Sequence, residues 1–144
     1  MEASVKLEEG MRFIGTADTG FTVAMDSSPA VGGSDSGFRP MELLLMGLCG
    51  CTAMDVISIL RKKREVVSGL EVKAQAEQQK EHPHVFTSIT IDYVVSGVNV
   101  DPKSVERAIE LSAERYCPAQ AMLGQVATMS YTFRIIEDAV TGPA

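Results

Sequence analysis

Cysteines, basic charge and leader-like segments are scarce in this sequence. It holds three cysteines, an odd number and too few for a secreted disulfide framework. Its 13 basic residues stand against 19 acidic ones, for a net charge of −6, and apart from one cluster they are scattered. A nucleic-acid surface needs a basic face to neutralise phosphates, so no nucleic acid is expected as a partner. Met1-Glu2-Ala3-Ser4 shows no basic region followed by an apolar run, so no signal peptide is read there. The expected location is cytoplasmic, where a lasting disulfide is unusual and cysteines are more often redox-active, metal-binding or inert. A glycine-rich phosphate loop, a nucleophile elbow and a Ser/His/Asp set are missing as well.

What is present suffices for one domain over residues 1–144, with 45% apolar content to build a core. The longest apolar run, Leu43 to Leu60, carries one charge, Asp55, and is close to the length that spans a bilayer. Asp55 is costly in lipid and the downstream sequence alternates like a soluble sheet, so no membrane is expected. An apolar helix buried between sheets or between subunits accounts for the run instead. The cluster Arg61-Lys62-Lys63-Arg64 then reads as its solvated end, with cations at the negative end of the helix dipole.

Around that helix the pattern predicts an α+β chain in the order βββ-α-ββ-αα-β. Residues 4–26 read as a β-meander, with Val5 and Leu7 alternating with charge and turns at Gly10 and Asp18-Thr19-Gly20. Ser27 to Gly37 is a Pro/Gly/Ser-rich loop, either a plain connector or a mobile flap beside a site. Pro40 opens the long helix over 40–63, about 36 Å at 1.5 Å per residue. Residues 70–95 form a hairpin, Leu70 to Lys80 and Val85 to Val95, turning at His82-Pro83-His84 with Ile89, Ile91 and Tyr93 on one face. Helices occupy 101–123: Asp101-Pro102 starts one that runs to Tyr116 along a Val105, Ala108, Ile109 and Ser112 stripe. Cys117-Pro118 breaks it before a short helix from Ala119 to Leu123. A last strand covers 126–136, and the tail is expected to fray from Asp138.

The cysteines carry the only candidate chemistry. Cys49 and Cys51 are about 200° apart around a helix, which removes a shared metal ligand pair unless the helix breaks. Asp55 lies about 40° from Cys51, one turn on. A carboxylate there raises the thiol pKa, so a reactive Cys51 needs a cation from elsewhere; otherwise it is a small buried hydrophobe. Cys117 sits where one helix stops and another begins, facing unpaired N–H groups that favour thiolate; it can equally fill a corner. His82 and His84 flank a hairpin tip, a solvated turn with no third ligand near, and no metal site is expected.

Pro40-Met41-Glu42-Leu43-Leu44-Leu45, leading to Gly50-Cys51-Thr52-Ala53-Met54-Asp55-Val56 and then Arg115-Tyr116-Cys117-Pro118, resembles the OsmC/Ohr family. The 11-residue step from the proline to the first cysteine matches, as does Cys-Pro after the second helix, and the element order matches along essentially the whole chain. The resemblance implies an OsmC-like fold in an intertwined homodimer, two long helices crossing at its centre and active sites at the subunit interface. It implies that Cys51 attacks an organic hydroperoxide to give a sulfenic acid and that Cys117 resolves it as a disulfide. An external dithiol reductant of the dihydrolipoamide kind would restore the pair, with no bound cofactor. Cys49 has no family counterpart and reads as a packing residue.

Family members with strong hydroperoxide activity carry a glutamate directly after the proline, holding a catalytic arginine; this chain has Met41. Glu42, nine residues before Cys51, is about 180° round the helix from it, while Asp55 is on the face that can hold an arginine. Arg12 best matches the family's arginine, with Arg39 beside the helix start as the alternative. These departures put the chain nearer the OsmC-like branch than the hydroperoxide-resistance proteins proper. Helix-terminus electrostatics make Cys117 the more acidic thiol, whereas the resemblance gives the first attack to Cys51. Besides a peroxidase, a non-catalytic stress protein or a dimer binding a small apolar ligand is compatible with these residues.

Overall fold

The computed structural model describes residues 1–139, which form two compact units, Met1–Leu44 and a second beginning at Leu45. The first is the predicted meander: β1 (Ala3–Glu9), β2 (Arg12–Ala17) and β3 (Thr22–Met25), paired antiparallel in that order. Gly10 and Gly20 turn with φ of +56° and +84°, where a side chain would be strained. Nothing in this unit covers β1, so Val5 and Leu7 are 57% and 55% exposed, and Phe21 is 82% exposed.

The Ser/Gly loop is pinned at both ends and at its middle. Its ends lie side by side through Phe38 N–H to the Ala24 carbonyl and Asp26 N–H to the Phe38 carbonyl, both 3.0 Å. The buried Asp26 carboxylate then accepts from Ser36 Oγ at 2.6 Å and from the N–H groups of Ser27, Ser34 and Ser36 at 2.7, 3.0 and 3.1 Å. Those bonds, the Ser36 hydroxyl first, hold it far below the ordinary carboxylate value. Gly33 is required, since a Cβ there would stand 1.9 Å from the Ser27 carbonyl oxygen. The connector between β3 and the helix that follows is thus tied to one internal carboxylate.

Helix α1 (Pro40–Lys62) leads into the second unit. Glu42 Oε1 accepts from the Arg39 N–H at 2.7 Å, half of a capping box around the first-turn proline. At the other end Arg64 adopts φ of +61°, and bonds from Glu65 N–H to Leu60 and from Arg64 N–H to Arg61 close a Schellman turn. Burial of α1 inside the chain is narrower than its composition suggests. Leu48, Thr52, Val56 and Leu60, spaced by four, are fully buried, but only 22% of its most apolar 18-residue stretch is. The expectation of a helix buried all round between sheets is therefore corrected for the single chain. By length and apolarity alone α1 is the one helix among the described residues that matches a membrane span.

Strand β5 (Phe86–Val98) is the middle of the second sheet, antiparallel to β4 (Val66–Gln78) and parallel to β6 (Thr128–Glu137). Strand β4 starts four residues before the predicted Leu70, because Gly69 is taken into the ladder at a register shift rather than ending the link. A parallel β6 needs a crossover, supplied by α2 (Pro102–Leu111) and α3 (Pro118–Leu123). Asp101 caps α2 through Lys103 N–H at 3.0 Å, as predicted. Ile89, Ile91, Tyr93 and Val95 of β5 and Val105, Ala108 and Ile109 of α2 join the α1 stripe among the fully buried or nearly fully buried side chains.

Two further expectations change. The helix predicted to run to Tyr116 ends at Leu111, and Ser112–Tyr116 is one π-helical turn closed by Cys117 N–H on the Ser112 carbonyl at 2.8 Å. The tail does not fray at Asp138, whose N–H donates to the Gly97 carbonyl at 2.8 Å while Ser68 Oγ donates to its carboxylate. Residues 140–144 of that tail lie outside the described residues.

Candidate active site

Within the second unit the fold brings Cys51 and Cys117 together. Cys51 is half-buried in the middle of α1, and Cys117 is buried in the bend between the π turn and α3. The Cys51 side chain lies near enough to Cys117 to shift its titration. The thiol of Cys117 also caps α3, accepting the Gln120 N–H at 3.4 Å, as its place before Pro118 led one to expect. Its titration is nonetheless the reverse of the local expectation. Burial first, then the neighbouring Cys51 side chain, push Cys117 up to about 11. A single short turn of helix is too small a dipole to outweigh desolvation. Cys49 is also pushed up, by burial.

Beside the sulfurs lies a polar chain that joins the predicted Asp55 to Ser112, Thr52, Tyr93 and Gln120, four buried residues that the sequence did not single out as functional. Ser112 Oγ donates to Asp55 Oδ2 at 2.9 Å, and it stands 2.8 Å from Thr52 Oγ1. Thr52 Oγ1 is also 2.7 Å from the Tyr93 hydroxyl and accepts from Gln120 Nε2 at 3.1 Å. Since Ser112 spends its proton on Asp55, Thr52 donates to Ser112 and accepts from both Tyr93 and Gln120. Burial pushes the Tyr93 phenol up to about 12, so it remains a donor. Thr52 was visible as the one hydroxyl on the Leu48, Val56, Leu60 stripe, and Tyr93 as the one phenol in the apolar run of β5. Ser112 was read as part of the α2 stripe; the π turn gives it this contact. Asp55 ends the chain at a cavity of about 330 Å³ that it lines with Lys62, Leu111 and Tyr116.

The other predicted residues belong to the first unit, and all three are engaged there. Arg12 donates to the Ser36 carbonyl through Nη1 and to Glu8 Oε2 through Nε at 3.4 Å. Arg39 donates to the Asp35 carboxylate and, at 3.3 Å, to the Asp26 carbonyl. Both arginines are thus fastened to the loop that Asp26 organises. Glu42 is occupied by the cap on Arg39 N–H, a backbone partner rather than a guanidinium. His82 and His84 stack with ring centroids 4.3 Å apart, and His84 Nδ1 is 2.9 Å from the Gln79 carbonyl.

Residues 33–132 match the family of OsmC-like proteins. Protein YhfA of Escherichia coli is 37% identical over 136 residues, 94% of this chain and 98% of the relative. Among solved structures, a hypothetical protein from Aquifex aeolicus superposes with a TM-score of 0.84 at 28% identity, covering 96% of this chain and 97% of the other. The organic hydroperoxide resistance protein OhrB of Bacillus subtilis shares the fold, with a TM-score of 0.63 at 17% identity over 93% and 98% of the two chains.

Proposed function

We propose that this chain, which belongs to the OsmC-like protein family, works as a thiol-dependent peroxidase on organic hydroperoxides. The observation that carries this reading is that Cys51, half-buried on α1, neighbours Cys117, buried in the bend before α3. The Cys51 thiolate attacks the terminal peroxide oxygen and the O–O bond breaks. The departing alkoxide takes a proton from solvent and leaves as alcohol, with Cys51 oxidised to sulfenic acid. Cys117 then displaces the hydroxyl: the S–S bond forms, the S–O bond breaks, and the Cys117 proton leaves with the hydroxide as water. An external dithiol of the dihydrolipoamide kind reduces the disulfide.

Arg12, with Arg39 as the alternative, is proposed to stabilise the Cys51 thiolate, and Asp55 to hold that arginine on the cysteine's face of α1. The same reading takes the protein as a cytoplasmic, intertwined homodimer with the two α1 helices crossing. Its support is apolar surface that one chain leaves uncovered: Leu44, Met46 and Met54 on α1, Val5, Leu7 and Phe21 on the first sheet. A second reading, a ligand-binding dimer without turnover, draws on an apolar groove of about 460 Å³ on the first sheet, lined by Val5, Phe21, Val23 and Met25.

Turnover separates the two. With cumene hydroperoxide and a dithiol, wild type consumes peroxide catalytically, Cys51→Ser does not, and Cys117→Ser accumulates sulfinic acid at Cys51. No catalytic consumption by wild type would contradict the enzyme, and turnover by Cys51→Ser equal to wild type would contradict the role given to Cys51.

A further inference from the structure

We propose that Thr52 and Gln120 form a clasp that sets the approach of the two sulfurs, making both of them positioning residues for disulfide formation. This inference rests on the reading of Cys51 and Cys117 as a redox pair. Thr52 follows Cys51 directly on α1, and Gln120 stands one turn after Cys117 on α3. Their side chains meet in the bond from Gln120 Nε2 to Thr52 Oγ1, and the Gln120 N–H holds Cys117 Sγ. One residue therefore grips the resolving sulfur with its backbone and the helix of the attacking sulfur with its side chain.

The clasp is directional and fully satisfied. Thr52 has one proton and two lone pairs; Ser112 takes the first, Tyr93 and Gln120 the others. Four elements, α1, β5, the π turn and α3, converge on one hydroxyl whose residue is fully buried. No buried side-chain nitrogen or oxygen among the described residues lacks a partner. Loosening any strand of such a network strands the others in a dry interior, so the set holds one geometry. Packing alone needs no such chain, since apolar side chains of similar volume fill that space without polar atoms to satisfy. What the chain adds is a fixed offset between two segments that carry sulfur. The step it serves is balanced: Cys51 sulfenic acid and the Cys117 thiol give the disulfide and water, with no other oxidant. Held sulfurs raise the effective concentration of one thiol at the other.

The test is the equilibrium of the Cys51–Cys117 disulfide, formed with diamide and poised in dithiol redox buffers, in wild type, Thr52→Val, Thr52→Ser and Gln120→Leu. Ile89→Val serves as a buried change away from the clasp. Thr52→Val and Gln120→Leu lower the equilibrium constant at least tenfold, Thr52→Ser stays within threefold of wild type, and Ile89→Val leaves it unmoved. Alkylation of Cys51 in the reduced proteins stays within threefold throughout, which a general loosening of the fold would not allow. Folded Thr52→Val and Gln120→Leu with the wild-type constant overturn the clasp. A wild-type disulfide that forms with diamide but not with cumene hydroperoxide overturns the peroxidase reading and leaves the clasp standing. No disulfide under either oxidant overturns both.

Discussion

Cys117 has the helix-capping position that favours thiolate, yet burial and the neighbouring sulfur keep it protonated. Thr52 is the reverse, a residue of no local note that becomes the meeting point of four elements. Replacing it by valine leaves Tyr93, Ser112 and Gln120 short of a partner, and chemical denaturation of Thr52→Val should show a loss of about 1–3 kcal/mol. Asp26 gives a pH signature. Its pKa is depressed below the ordinary 3.8, so its contribution to stability is fully present above that value and is lost as pH falls below it. Thermal unfolding should find wild type more stable than Asp26→Ala at pH 7, with the gap closing as the pH is lowered through 4 and beyond. Arg12→Ala should slow Cys51 alkylation about tenfold or more if its guanidinium serves the thiolate; the same loss in Arg39→Ala alone would move the role to Arg39.

At the scale of elements, what could be read was what local chemistry decides. Pro40, Asp101-Pro102 and Cys117-Pro118 mark helix starts because proline suits a first turn, and all three hold in the structure. The turns at Gly10 and Gly20 follow from backbone freedom. The π turn at Ser112–Tyr116 was not legible, because nothing in Ser-Ala-Glu-Arg-Tyr distinguishes i→i+5 bonding from an α-helix. Nor was the parallel pairing of β6, which joins residues some forty apart in sequence and is decided by packing. Helix α1 shows both sides. Its apolar length was plain, but which stripe faces its own chain was not. Gly47 and Gly50 meet nothing within 4 Å if given a Cβ, so Gly50→Leu should leave the chain folded. If two α1 helices cross there, light scattering should show that variant as a monomer where wild type is a dimer. At the C-terminal end, Arg64 occupies the left-handed position where glycine is free of strain. Arg64→Gly should stabilise the chain by about 1 kcal/mol in the same denaturation assay.

For the whole molecule, two cysteines far apart in sequence become neighbours where α1 passes the bend before α3. The step from Pro40 to Cys51 and the Cys117-Pro118 pair, with the order of elements, made the family visible in the sequence; that the two cysteines are neighbours came from the fold. Mass spectrometry of the purified protein after one equivalent of cumene hydroperoxide is the most direct test of that claim. The account predicts one Cys51–Cys117 disulfide per chain, with Cys49 still a free thiol. Three free thiols after that treatment, or a disulfide that joins Cys49 instead, would contradict it.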